Sequence, residues 1–183
     1  MSIEQIEVGM PISGVLTLRD GACVPVREIR AEDAGALQRL VARSSERSIE
    51  LRFFGPLKEL SEERARRFAE VDGVDRFALV ALDPEDEGEL VAVVRYELEA
   101  GTDGAEYAAL VEDRFQGRGL GIGLTRQLIE AARERGLKRL HALVMRENKS
   151  MLSLLRSLEL PEHARWENGL EHVEIDLRSE EAA

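Results

Sequence analysis

Apolar and polar positions change period several times along this chain. Val24, Val26 and Ile29 suggest a first strand, and Ala34, Leu37, Leu40 and Val41 follow at helical spacing. A second helical stretch, Ser45 to Leu51, ends at Phe53-Phe54-Gly55-Pro56. Ser61-Glu62-Glu63 opens another helix, with its acids where the positive end of the dipole favours them. Phe77 to Leu82, Leu90 to Leu98 and Ala105 to Val111 then read as a three-strand meander. Its acidic connections, 83–89 and 99–104, contain Gly or Pro and read as solvated tips. From Gly119 to Arg135 the pattern is helical, with Leu120, Leu124, Leu128 and Ala131 on one stripe and Gly136 as the stop. Leu140 to Met145 reads as a buried strand. Asn148 caps a helix carrying Met151, Leu152, Leu155 and Leu158, and a final hairpin turns at Asn168-Gly169. This order predicts an α/β (α+β) fold, a mixed sheet covered by helices, and fits neither a doubly wound fold nor a barrel. Residues 1–19, broken by Gly9, Pro11 and Gly14, read as an N-terminal arm; 20–178 read as one domain and 179–183 as a disordered tail.

Composition narrows the class. The 183 residues carry 25 Lys+Arg against 36 Asp+Glu, a formal charge of −11, with 44% hydrophobic and 33% charged residues. That is too apolar for a disordered chain, and the acidic balance argues against a general nucleic-acid binder. The longest apolar runs fall far short of the about 20 residues a spanning helix needs. The first twenty residues, with Glu4 and Glu7 and no basic flank, do not read as a signal peptide. The single cysteine, Cys23, excludes an internal disulfide framework. The three histidines, His141, His163 and His172, share no metal-ligand spacing. The expectation is a cytoplasmic protein with no membrane or nucleic-acid partner and no metal.

The most informative stretch is Gln116-Gly117-Arg118-Gly119-Leu120-Gly121-Ile122-Gly123, which follows a predicted strand and opens the best helix. Glycines there let the backbone approach a ligand and turn consecutive N–H groups toward one point. The free N–H groups and positive dipole end of the helix make an anion site, and Arg118 adds a local cation. No register of these glycines fits G-x-G-x-x-G, and no Gly-Lys-Ser/Thr follows, which excludes the dinucleotide fingerprint and the P-loop. Glycines that merely make a tight strand-to-helix turn are the structural alternative.

Gln116-x-x-Gly119-x-Gly121 resembles the acetyl-CoA pyrophosphate motif of the GNAT superfamily of N-acetyltransferases, and the element order agrees from about Val24 to Leu177. Asn148 matches that superfamily's coenzyme-contacting asparagine. The resemblance implies a mostly antiparallel central sheet of about six to seven strands flanked by about four helices. It also implies acetyl-CoA as cosubstrate, held by Gln116, Gly117, Arg118, Gly119, Leu120, Gly121, Ile122 and Asn148. The backbone of Ala109, Leu110 and Val111 would pair with the pantetheine arm. Upstream, Asp20-Gly21, Val26-Arg27-Glu28-Ile29-Arg30-Ala31-Glu32-Asp33-Ala34 and Leu51-Arg52-Phe53-Phe54 resemble the Pat-type protein lysine acetyltransferases. Some of these carry a fused regulatory domain for which this chain has no room. The match makes Glu106, ten residues before Gln116, the general base for a lysine acceptor. Spacing alone favours an ordinary solvent-facing carboxylate there; the family match reverses that preference.

Other residues read as structural. Leu155 stands where many GNAT enzymes have the tyrosine that protonates the leaving thiolate, so that route is absent, and Tyr96 and Tyr107 match no such role. His141 and His172 read as structural, Cys23 as buried and Trp166 as packed on the sheet. Phe53 and Phe54 read as either core or acceptor-site residues. The acidic balance is compatible with steering a cationic acceptor. The acceptor is a protein lysine or a small amine. Alternatives are N-terminal acetylation or a non-catalytic acyl-CoA sensor, and the sequence leaves the oligomeric state open, a homodimer included.

Overall fold

A computed structural model describes residues 12–178. The chain runs through β1 (Ser13–Thr17), β2 (Cys23–Glu28), α1 (Ala34–Arg43), α2 (Glu46–Phe53), α3 (Glu62–Ala69), β3 (Arg76–Asp83), β4 (Asp86–Leu98) and β5 (Gly104–Val111). It continues through α4 (Leu120–Glu134), β6 (Arg139–Met145), α5 (Lys149–Arg156), β7 (Glu162–Glu167) and β8 (Leu170–Asp176). All eight strands join one sheet in the order β1-β2-β3-β4-β5-β6-β8-β7. Every neighbouring pair is antiparallel except β5–β6.

The alternation of the strands divides the core between the two faces of the sheet. Phe77, Leu79, Val94, Tyr96 and Tyr107 point to one face, where Leu120, Leu124 and Leu128 of α4 and Leu152 and Leu155 of α5 cover them. Ala78, Val80, Val93 and Leu110 point to the other, beneath Leu37, Leu40 and Val41 of α1, Ile49 of α2 and Ala65 of α3. The apolar stripe on α4 explains that contact directly: its residues repeat every three to four positions, so one side meets the sheet. Side-chain oxygens cap the helices where the sequence places capping residues. Ser45, Ser61 and Asn148 accept from the N–H groups of Ser48, Arg64 and Met151.

Several expectations are corrected. The sheet has eight strands rather than six or seven, and five α-helices rather than four flank it. The extra strand, β1, lies inside the stretch read as an arm and pairs along its length with β2. Being an edge strand with four of its five residues exposed, it lacks the apolar alternation that marks a half-buried strand. Residues 1–11 of that arm and the tail 179–183 lie outside the described residues. Cys23 is exposed, because Val24 and Val26 take the inward positions of β2. Trp166 is 52% exposed, since all of β7 lies open at the sheet edge. The acidic turn after β3 is only partly a solvated tip. Asp83 is buried and binds Arg114 Nη2 at 2.5 Å, and Glu89 holds Arg39 and Arg43 of α1.

Candidate active site

The parallel pairing of β5 with β6 lasts three residues: Gly104 opposite Arg139, Ala105 opposite Leu140 and Glu106 opposite His141. Beyond that rung β5 pairs only with β4, and β6 only with β8. The strands thus open like a fork with Glu106 at its apex, and a cleft of about 500 Å³ begins there. Glu106 is exposed into it, on the same face as Ala108 and Leu110. The cleft runs along Ala109, Leu110 and Val111 on one side and Ala142 and Leu143 on the other. Gln116, Gly117, Gly119, Gly121, Ile122 and Asn148 close its far end. Ten of the twelve residues expected at the site therefore line one cavity. Leu120 and Arg118 are not among its walls, Leu120 because its side chain turns into the core.

Tertiary contacts fix the glycine-rich turn. Gly117 and Gly119 have φ of 71° and 92°, a region side chains with a Cβ enter at a cost. Gly119 is the N-cap of the fifteen-residue α4, so the N–H groups of its first turn have no partner within the helix, and Gly119, Gly121 and Ile122 line the cleft. The other two glycines serve packing. A Cβ on Gly121 would stand 3.0 Å from Leu154 Cδ1, and one on Gly123 would stand 3.1 Å from Leu16 Cδ1. Half of the glycine run thus belongs to the turn, and half lets α5 and β1 approach α4.

Side chains around the turn are mostly engaged with the protein itself. Gln116 Nε2 donates to Val111 O at 2.9 Å and to Ser48 Oγ at 3.0 Å, tying the loop to β5 and α2. The Ser48 hydroxyl donates to Asp113 at 2.9 Å, which also accepts from the Ser45 hydroxyl and N–H. Burial would raise the Asp113 pKa, but these donors hold it below the usual carboxylate range. Tyr107 lines the cleft, yet its hydroxyl is buried against Thr125 Oγ1 at 2.7 Å and pushed up to about 12 by burial. Tyr96 is buried with its hydroxyl on Val74 O at 3.2 Å, and Leu155 is buried in the core. None of the three is placed to protonate a leaving group in the cleft. Asn148 Oδ1 caps α5, which leaves its amide N–H groups as donors at the cleft wall.

Two cleft residues escape the sequence reading. Arg19, in the β1–β2 turn, lies against the glycine-rich loop: a Cβ on Gly119 would meet its Cγ at 3.3 Å. Arg52, at the end of α2, lines the cleft together with Glu106 and Phe54. The signal for each was adjacent in sequence, Arg19 beside Asp20-Gly21 and Arg52 inside Leu51-Arg52-Phe53-Phe54. Among the described residues, no group of three or more His, Cys, Asp or Glu is placed to hold a metal. No helix among them is long and apolar enough to cross a membrane.

Comparison with known proteins identifies the family. The Acetyltransferase (GNAT) family matches residues 40–159. A Pseudomonas aeruginosa acetyltransferase is 33% identical over 146 residues, 79% of this chain and 78% of that protein. The crystal structure of the GNAT domain of S. lividans PAT superposes with a TM-score of 0.82 at 34% identity, over 90% of this chain and 96% of that one. The PaiA N-acetyltransferase of Thermoplasma acidophilum, solved with coenzyme A, shares the fold (TM-score 0.67, 14% identity, 84% of this chain and 98% of that one). The chain belongs to the GNAT acetyltransferase family, whose members transfer acetyl groups from acetyl-CoA. A left-handed glycine cradle at a helix N-terminus and an unfilled gap between β5 and β6 suit a coenzyme with a pyrophosphate and an extended amide arm.

Proposed function

We propose that this enzyme acetylates the ε-amine of lysine in target proteins in the cytoplasm, by direct attack of the amine on the acetyl-CoA thioester. The position of Glu106 at the apex of the fork carries this reading. A lysine ammonium, with a pKa of about 10.4, must lose a proton before its nitrogen can attack. Glu106 accepts that proton, the N–C bond forms as the C–S bond breaks, and the second proton the nitrogen loses passes through solvent to the departing thiolate. Backbone donors on β5 and the first turn of α4 hold the coenzyme, and Asn148 adds a side-chain donor. Val111 O is committed to Gln116, so the pantetheine arm pairs with the remaining main-chain groups of Ala109 and Val111. The likeness to the Pat-type enzymes from Asp20 to Phe54 supports lysine as acceptor.

The test is acetyl transfer from labelled acetyl-CoA to four acceptor classes: folded proteins, N-terminally blocked lysine peptides, lysine-free peptides with open N-termini, and small amines. Label on lysine side chains is the expected result. Label confined to N-termini or small amines overturns the lysine reading. Coenzyme binding without transfer to any acceptor makes the protein a sensor.

A further inference from the structure

The acidic chain places Arg52 in the wall of its cleft beside Glu106, with Arg64 and Arg95 behind it. Arg52 is half-buried in the cleft wall and stacks 4.9 Å from the centre of the Phe53 ring. Arg64 of α3 approaches the same ring at 5.4 Å and Phe68 at 5.8 Å. Behind them Arg95 lies buried, 4.6 Å over Phe68, with Nη1 donating to Phe68 O at 3.2 Å. Most arginines nearby have carboxylate partners; Arg66 and Arg67 pair with Glu62 and Glu97. Among the described residues the side chains of Arg52 and Arg64 have no hydrogen-bond or ion-pair acceptor. The charged groups that bear on Arg52 are Glu106, which attracts it, and Arg64 and Arg95, which repel it. Burial draws its guanidinium down to about 10.

A guanidinium presents five donors in a rigid fork that matches a carboxylate, and those of Arg52 open onto the cleft rather than being sealed in the core. A lysine side chain approaching Glu106 passes Arg52, whose positive charge opposes it unless the lysine's own surroundings bring negative charge. The acidic balance of the whole chain therefore does not describe the cleft. We infer that Arg52, with Arg64 across the Phe53 ring, is an anion subsite that takes the carboxylate of an Asp or Glu beside the target lysine. This rests on the lysine acceptor proposed above and adds a sequence preference to it.

The test uses pairs of N-terminally blocked peptides that differ only in Glu or Gln beside a single lysine, assayed with the parent enzyme and with Arg52→Gln and Arg64→Gln. A charge-assisted hydrogen bond to Arg corresponds to a kcat/KM ratio of about tenfold or more in favour of the Glu peptide. That ratio falls to near one in Arg52→Gln and decreases in Arg64→Gln, with acetyl-CoA affinity and melting temperature followed alongside. If Arg52→Gln does not fold, the ratio in the exposed Arg64→Gln variant decides. Equal rates on both peptides with the parent enzyme, or a ratio that survives both substitutions, overturns the subsite. Failure to modify any peptide overturns the lysine reading and this preference with it. Arg52-dependent acetylation of a free amino acid and of no peptide keeps the subsite but moves the carboxylate onto the acceptor itself.

Discussion

Arg118 Nε donates to Asp20 Oδ2 at 2.6 Å, so the one cation within the glycine-rich loop is bound to the turn between β1 and β2. The same guanidinium stacks 4.9 Å over the Phe115 ring, and Arg19 N donates to Arg118 O at 2.9 Å. These contacts clamp the β1–β2 turn onto the loop and hold the Asp20 carboxyl below its usual pKa. Among the described residues Arg118 is engaged by this clamp while the Arg19 side chain has no acidic partner, which makes Arg19 the expected phosphate contact. Arg19→Ala is expected to weaken coenzyme A binding by about tenfold or more, as loss of a charge-assisted contact does. Binding of pantetheine, which has no pyrophosphate, should change little. Calorimetric titration of both ligands checks this, and an equal loss for both would remove Arg19 from the phosphate site.

Gly119 and Gly117 separate two costs of adding a side chain to the loop. Both have positive φ, but only Gly119 also has a neighbour, Arg19, at 3.3 Å from its hypothetical Cβ. Gly119→Val is expected to abolish thermal protection by coenzyme A. Gly117→Ala should cost stability by backbone strain of about 1–3 kcal/mol and retain part of that protection. Melting curves with coenzyme A, NADH and ATP at equal concentration read both effects. Full protection of Gly119→Val would contradict the assigned cradle.

Glu106→Gln keeps the shape of the side chain at the fork and removes its charge. Turnover at neutral pH should fall by about 10²–10⁴-fold, with acetyl-CoA affinity little changed. The deficit should shrink as pH rises toward the pKa of the acceptor amine, because a growing fraction of the amine is then already deprotonated. Rates from pH 6.5 to 9.5 distinguish this from structural damage, which persists at every pH. Parent-like turnover at pH 7 would exclude Glu106 as the base.

Asp33 tests the scaffold beneath α1. Its oxygens accept from Arg27 Nη1 and Nη2 at 2.7 and 2.8 Å and from the Arg30 N–H at 2.7 Å. Burial would raise its pKa, but these donors bring it below the ordinary value. The folded value lies below the unfolded one, so this stabilisation is present above the normal carboxylate range and is lost as pH falls through the folded value. Asp33→Asn is expected to cost about 2–3 kcal/mol at pH 7, roughly 5–10 °C in melting temperature. The difference between the two proteins should narrow in acid, and a constant difference down to pH 2 would contradict the assignment.

Much of this architecture was legible wherever one face of an element is buried. The stripe on α4, the meander of β3 to β5 and the Asn168-Gly169 turn each follow from local periodicity or from φ at single positions. Elements without a buried face escaped, β1 and the outward placement of Cys23 among them. Trp166 failed for the same reason, because a large aromatic on a wholly exposed edge strand has no core to join. The cleft divided similarly. The glycines and Glu106 could be read from spacing and resemblance, whereas Arg19 and Arg52 became site residues only when a turn and a helix end folded over the fork. The commitment of Arg118 to Asp20, across 98 positions of sequence, is a tertiary fact of the same kind.

The fork has a consequence for how long the protein lasts. Past the rung of Glu106 and His141, the peptide groups of β5 and β6 face a gap rather than each other. A sheet with such an internal edge is short of one strand, which a coenzyme arm in the proposed position would supply. Ligand bound only to the folded form lowers the population of opened chains in proportion to its concentration. Proteolysis of the purified enzyme is therefore expected to slow, and turnover to quicken, as acetyl-CoA concentration rises.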